Sequence, residues 1–180
     1  MDLAAACVSF VERAHGVKLD YELETLPILD HYLEQARALA RERPETAPLV
    51  AHASGAYFGE VVRRRHASWW QTEGDDPTYW QLQFESVFLA LRPVEIVHAA
   101  LVRVDAEEGG PEDLARLELD EEDRAAIAER LADLPAVSDT EFYALSTLLE
   151  VIDIAVEAIR ARHLAAGEPE PHLGPDDYRS

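Results

Sequence analysis

Gly55 and Gly59 stand four residues apart in LVAHASGAYFGEVVRRRHASWW, residues 49–70, a stretch whose pattern is otherwise helical. Glycine in a helix interior costs about 1 kcal/mol relative to alanine, so two of them beside Ala51 and Val62 argue for a reason in packing or in function. Lacking Cβ atoms, they let another backbone come unusually close. Tight helix–helix or helix–sheet packing is the expected cause, and exposure of backbone to a ligand is the sharper alternative. The membrane use of this spacing does not apply, because Glu60 and Arg63 to Arg65 interrupt any apolar span.

The chain has 180 residues and 48% of them are apolar. That suits one ordinary domain with a sizeable core. Its apolar runs stop short of the ~18 residues that span a bilayer. Asp2 stands where a secretory leader would carry Lys or Arg. A single cysteine, Cys7, excludes an internal disulfide framework and fits a reducing compartment. These features lead us to expect a cytoplasmic protein with no membrane association. Only Lys18 is lysine and the other fifteen basic residues are arginine, which together with abundant alanine suggests a GC-rich bacterial genome.

Charge is the second constraint. There are 36 acidic residues against 16 basic ones, a formal net charge of −20, so no nucleic-acid partner is expected. Ten acidic residues fall between Asp105 and Asp123, with Arg116 the one base among them. This run is read either as a solvated loop and helix start or as a docking surface for a basic protein, with Glu107, Glu108, Glu112 and Asp113 as contacts.

Apolar spacing predicts helices over residues 2–15, 23–41, 48–66, 93–104, 120–134 and from 138 or 139 to 164. Between the third and fourth the period changes to two. In Tyr79–Glu85, Trp80, Leu82 and Phe84 share one face, expected buried, and Gln81 and Gln83 the other, expected exposed. Ser68–Gln71 is a plausible partner strand across the turn-rich loop 72–78, and Val87–Leu91 either continues the strand or forms a third. The fold class is therefore α+β: six helices on one face of a small antiparallel sheet of two or three strands. Residues 1–166 form a single domain, and 167–180, rich in Pro, Gly and charge, read as a mobile tail.

Several side chains invite a chemical reading. Glu60 can pair with Arg63 or Arg64 at helical spacing, or serve as a functional carboxylate. Arg63–Arg64–Arg65–His66 followed by Trp69 and Trp70 mixes basic and aromatic residues as nucleic-acid binders do, yet arginines at a helix C-terminus also suit its dipole. Glu-x-x-His occurs at Glu12–His15 and Glu95–His98, but Glu12 points away from its helix's apolar stripe, His15 abuts the terminating Gly16, and an inward His98 reads as a hydrogen-bonded core residue, so no metal site or cofactor is expected. Asp153 falls within the apolar stripe of the last helix, so it needs a charged partner, from Arg160 or from another element. Cys7 reads as a small core residue.

The segments LDYELETLPILDHYL, GAYFGEVVRR, YWQLQFE followed by LRP, and EFYALSTLLEVIDIAVEAI resemble uncharacterised bacterial proteins in which a Gly-x-Tyr-x-Gly-Glu helix precedes a short sheet. The resemblance covers about residues 19–160 and implies an α+β domain. It brings no activity or cofactor, and it marks Gly55, Tyr57, Gly59 and Glu60 as positions of interest. Two functions are expected to compete. The first is a non-enzymatic, acidic protein-binding domain, immunity-like or accessory to a basic partner. The second is a small ligand-binding or hydrolytic domain with its site near Tyr57, Glu60 and Trp69 or Trp70.

Overall fold

The computed structural model describes residues 2–102, 114, 116–133 and 139–179. In chain order these form α1 (Leu3–His15), α2 (Leu26–Glu42), α3 (Ala47–Arg65), β1 (Ser68–Gln71), β2 (Gln81–Phe84), β3 (Leu89–Leu91), α4 (Pro93–Val102), β4 (Leu117–Leu119), α5 (Glu121–Ala132), the single turn α6 (Asp139–Phe142) and α7 (Leu145–Ala166). The class is α+β. None of the described helices is long and apolar enough to cross a membrane.

α3 is the axis of the domain. Twelve of its 19 residues are buried, on every side of the helix, as befits an element enclosed by others. It packs against α1 and α4. The crossing with α4 explains Gly55, since a Cβ there would lie 2.5 Å from Val94 Cα and 2.7 Å from Val94 N. The packing alternative for the glycines is the one the structure displays.

The sheet is a four-stranded antiparallel meander, ordered β1-β2-β3-β4. Trp70 faces Leu82, Leu82 faces Leu91 and Leu91 faces Leu117, which sets one row of the inner face, and these side chains join the helical core. The sheet thus has four strands against the two or three expected, and β4 is the one that no expectation included. It lies in the acidic run read as a connector, where Leu117 and Leu119 pack toward the core around an exposed Glu118. So short an alternation does not stand out from such a background.

The last helix also differs from its expected form. The chain breaks at Ala144, whose backbone is extended (φ −68°, ψ 137°), so that α6 and α7 are separate. No side chain from α7's own N-cap serves its first turn. Asp30 of α2 does so instead, acting as a cap from outside the helix. Its carboxylate accepts from Leu145 N–H at 2.6 Å, Ser146 N–H at 3.3 Å and the Ser146 hydroxyl at 2.6 Å. A cap supplied from 115 residues away leaves no local signature.

Burial on β2 follows expectation for Leu82 and Phe84, but Gln83, expected exposed, is 3% exposed. Trp80 lies outside the strand, half-buried at the end of a 3₁₀ turn (Pro77–Tyr79), with its indole N–H on Gly74 O at 3.2 Å. Gln83 accepts the Trp69 indole N–H at 3.1 Å and donates to Gln81 Oε1 at 2.7 Å, and the C-terminal segment returns to this outer face of the sheet. Leu173 N–H donates to Glu85 O at 2.8 Å, and the Tyr178 ring stacks on Phe88 and meets Trp69 edge-on.

The Tyr178 hydroxyl enters the sheet itself. Continuing the register of Leu82 with Leu91 and Gln83 with Ala90 would pair Phe84 with Leu89. Instead the hydroxyl oxygen accepts from Phe84 N–H and Leu89 N–H, each at 3.2 Å, and donates to Phe84 O at 2.8 Å. It replaces the last rung of the ladder. Burial pushes the phenol up to about 12, so it keeps the proton it donates.

Candidate functional site

The C-terminal half of α3, the N-terminus of α1 and the strand β1 enclose a cleft of about 500 Å³. Its walls include Asp2, Tyr21, Glu60, Arg64, Trp70 and Trp80. Gly59 makes the cleft possible: a Cβ there would collide with the six-membered ring of Trp70, which lies against the helix. The indole N–H of Trp70 then reaches Glu60 Oε1 at 2.7 Å.

Glu60 is fully engaged. Arg63 donates from Nη2 to Oε2 at 2.8 Å, and its Nε stands 3.1 Å from both oxygens. These bonds, with the indole N–H, hold the carboxyl below its ordinary 4.5, against the opposing effect of burial. It is therefore an ionised carboxylate with fixed partners, suited to holding Trp70 and lending negative charge rather than to moving protons.

Tyr21 forms the opposite wall in an unusual backbone conformation, with φ at +70°. A bulky side chain in the left-handed region costs about 1–2 kcal/mol. The conformation is held by Tyr57, whose hydroxyl accepts Tyr21 N–H at 2.8 Å and whose ring stacks on that of Tyr21 at 4.6 Å. The Arg64 guanidinium lies 4.0 Å above the Tyr21 ring, a cation–π contact.

The residues expected at the site are thus dispersed. Glu60 and Trp70 line the cleft. Tyr57 is fully buried behind Tyr21 and supports the wall without reaching the cavity. Trp69 sits on the opposite face of the sheet, donating to Gln83 Oε1 at 3.1 Å. Gly55 serves the crossing with α4, and Gly59 serves the contact with Trp70. Glu107, Glu108, Glu112 and Asp113 lie outside the described residues. Sequence reasoning missed Asp2, Tyr21, Arg64 and Trp80 as members of one site; they come from four different segments, and no periodicity links them.

The arginine run resolves into three separate contacts. Arg63 goes to Glu60, Arg64 to Tyr21 and Arg65 to Asp153, the last at 2.7 Å. Asp153 takes its charged partner, Arg65, from the end of α3, not from Arg160, and also bonds His66 Nε2 at 2.8 Å. Burial of His66 outweighs this carboxylate and keeps the imidazole below its ordinary 6.5. Cys7 is fully buried beside Ser54, and burial pushes its thiol up to about 12. Among the described residues no group of three or more His, Cys, Asp or Glu is placed to hold a metal ion.

Comparison with protein-family models, curated proteins and solved structures finds no match to this chain.

Proposed function

We propose that this chain is an acidic protein-binding domain of the cytoplasm that recognises a basic partner through the cleft between α3 and β1. The cleft's composition carries the reading: the rings of Trp70 and Trp80 stand with the carboxylates Asp2 and Glu60 around one cavity, beside Tyr21, whose ring Arg64 already covers. The chain's net charge is −20. Such a cavity on such a chain attracts cations at long range and holds a guanidinium or ammonium group at contact. Glu60 is bound on both oxygens and so is poorly placed to act as a general base, which favours recognition over chemistry.

The test is a binding panel of equal-length basic, neutral and acidic peptides against the immobilised protein at low and physiological ionic strength. Basic peptides are expected to bind, with affinity that falls as salt rises. Equal indifference to all three classes overturns the proposal. A second reading, a small-molecule site, draws on the cavity's volume of about 500 Å³. That size is within the usual range for ligand pockets. The small-molecule reading is favoured instead if a neutral aromatic compound binds as well as a basic peptide, without salt dependence.

A further inference from the structure

We infer that the partner docks as an extended basic segment on the outer edge of β1, adding a strand to the sheet and placing alternate side chains over the cleft. This rests on the basic-partner reading above and supplies its geometry.

β1 ends the sheet, and its register shows which groups face outward. Glu85 N–H donates to Ala67 O at 3.0 Å, just beyond the pairing of Ser68 with Phe84. Ala67 and Glu85 are therefore a hydrogen-bonded pair, and in an antiparallel ladder such pairs alternate with non-bonded ones. Trp69 with Gln83 and Gln71 with Gln81 bond inward. Ser68 and Trp70 turn their N–H and C=O groups away from β2, and none of the described residues bonds to those groups.

The other edge of the sheet is treated differently. At β4 the Arg124 guanidinium donates to Leu117 O at 3.3 Å and to Leu114 O at 2.8 Å, covering carbonyls there. An uncovered edge is a template for another strand, and main-chain pairing along such an edge is a recurrent mode of peptide recognition. Only four residues long, β1 offers a short ladder, so side chains must supply the rest of the selectivity.

Charge identifies the occupant. Side chains of an added strand that share the face of Trp70 project over the cleft. Asp2 and Glu60 line it, and the exposed Asp20, Glu22 and Glu73 adjoin its lining residues Tyr21 and Thr72. Of the nearby arginines, Arg63 is paired with Glu60, while Arg64 lies over Tyr21 on the cleft wall and keeps its charge, which the surrounding carboxylates must outweigh. An arginine at every second position of the incoming segment fits this face, since a guanidinium can stack on an indole while it bonds the Asp2 carboxylate, Glu60 being held by Arg63 and Trp70.

The probe is a short synthetic peptide alternating arginine and valine, titrated into the intact protein. Amide hydrogen exchange at Ser68 and Trp70 is expected to slow on saturation. Ser68→Pro removes one outward N–H at a position where an edge strand tolerates proline; it should weaken binding about tenfold with the melting temperature retained. If that variant does not fold, the wild-type protein gives the same information. Methylating one alternate set of peptide backbone nitrogens should abolish binding, and methylating the other set should leave it intact. Binding that protects neither amide and ignores both methylation patterns overturns strand addition while leaving the basic-partner reading in place. If the peptide and every other basic peptide fail to bind, both fall.

Discussion

Gly55→Ala is expected to destabilise the domain by about 1–3 kcal/mol, the range for overpacking a filled core. The sign is the point. In an unencumbered helix interior the same substitution stabilises by about 1 kcal/mol. Here the added Cβ meets backbone atoms, Val94 Cα at 2.5 Å, Val94 N at 2.7 Å and Pro93 C at 2.9 Å. No rotamer change can move those atoms aside, so α3 and α4 must separate or shift along each other. Urea unfolding of the variant reads the effect directly. A gain in stability would show that the two helices do not approach this closely.

Tyr178→Phe should cost about 1–3 kcal/mol, the penalty for leaving a buried donor without a partner. The phenylalanine ring can keep the stack on Phe88 and the edge contact with Trp69. What goes is the oxygen that takes Phe84 N–H and Leu89 N–H. Leu89 N–H retains a second acceptor, Val87 O at 2.9 Å, so the loss falls chiefly on Phe84. Faster hydrogen exchange at the Phe84 amide should accompany the lower melting temperature. Unchanged stability would mean that Phe84 and Leu89 close the rung themselves once the hydroxyl is gone.

These two residues mark the boundary of what the sequence makes legible. The glycine pair is readable because an unfavourable residue in a periodic helix demands a reason, and the reason found at Gly55 is a backbone contact of the expected kind. The α+β class follows from the change of period at Tyr79–Glu85. Tyr178, in contrast, sits among prolines, glycines and aspartates whose composition argues for a tail without a core. Its anchoring combines ring contacts with Phe88 and Trp69 and one hydroxyl that finds a gap in a sheet 94 residues earlier. The burial of Gln83 escapes sequence reasoning on the same ground, since alternation assigns a side chain to a face but not what covers that face.

The cleft is half legible. Gly59, Glu60 and Trp70 belong to the single stretch 49–70 that stands out in the sequence. Tyr57 belongs to it as well, but it acts one layer deeper, fixing Tyr21 in its left-handed conformation. Tyr21 itself lies in a connector with no repeat, and Asp2 joins the cleft only through the fold. Asp153 shows the converse: its place in an apolar stripe demands a charged partner, and the end of α3 supplies Arg65, with the His66 imidazole as a further hydrogen-bond partner.

The three tryptophans permit one decisive measurement. Trp70 and Trp80 line the cleft, while Trp69 lies on the opposite face of the sheet beside Tyr178. Each indole N–H gives its own NMR resonance, which can be followed while a basic peptide is titrated into the protein. Recognition in the cleft should move the Trp70 and Trp80 resonances along one saturable curve, with a smaller change at Trp69. Binding that shifts Trp69 alone, or saturates without moving Trp70 or Trp80, would contradict it.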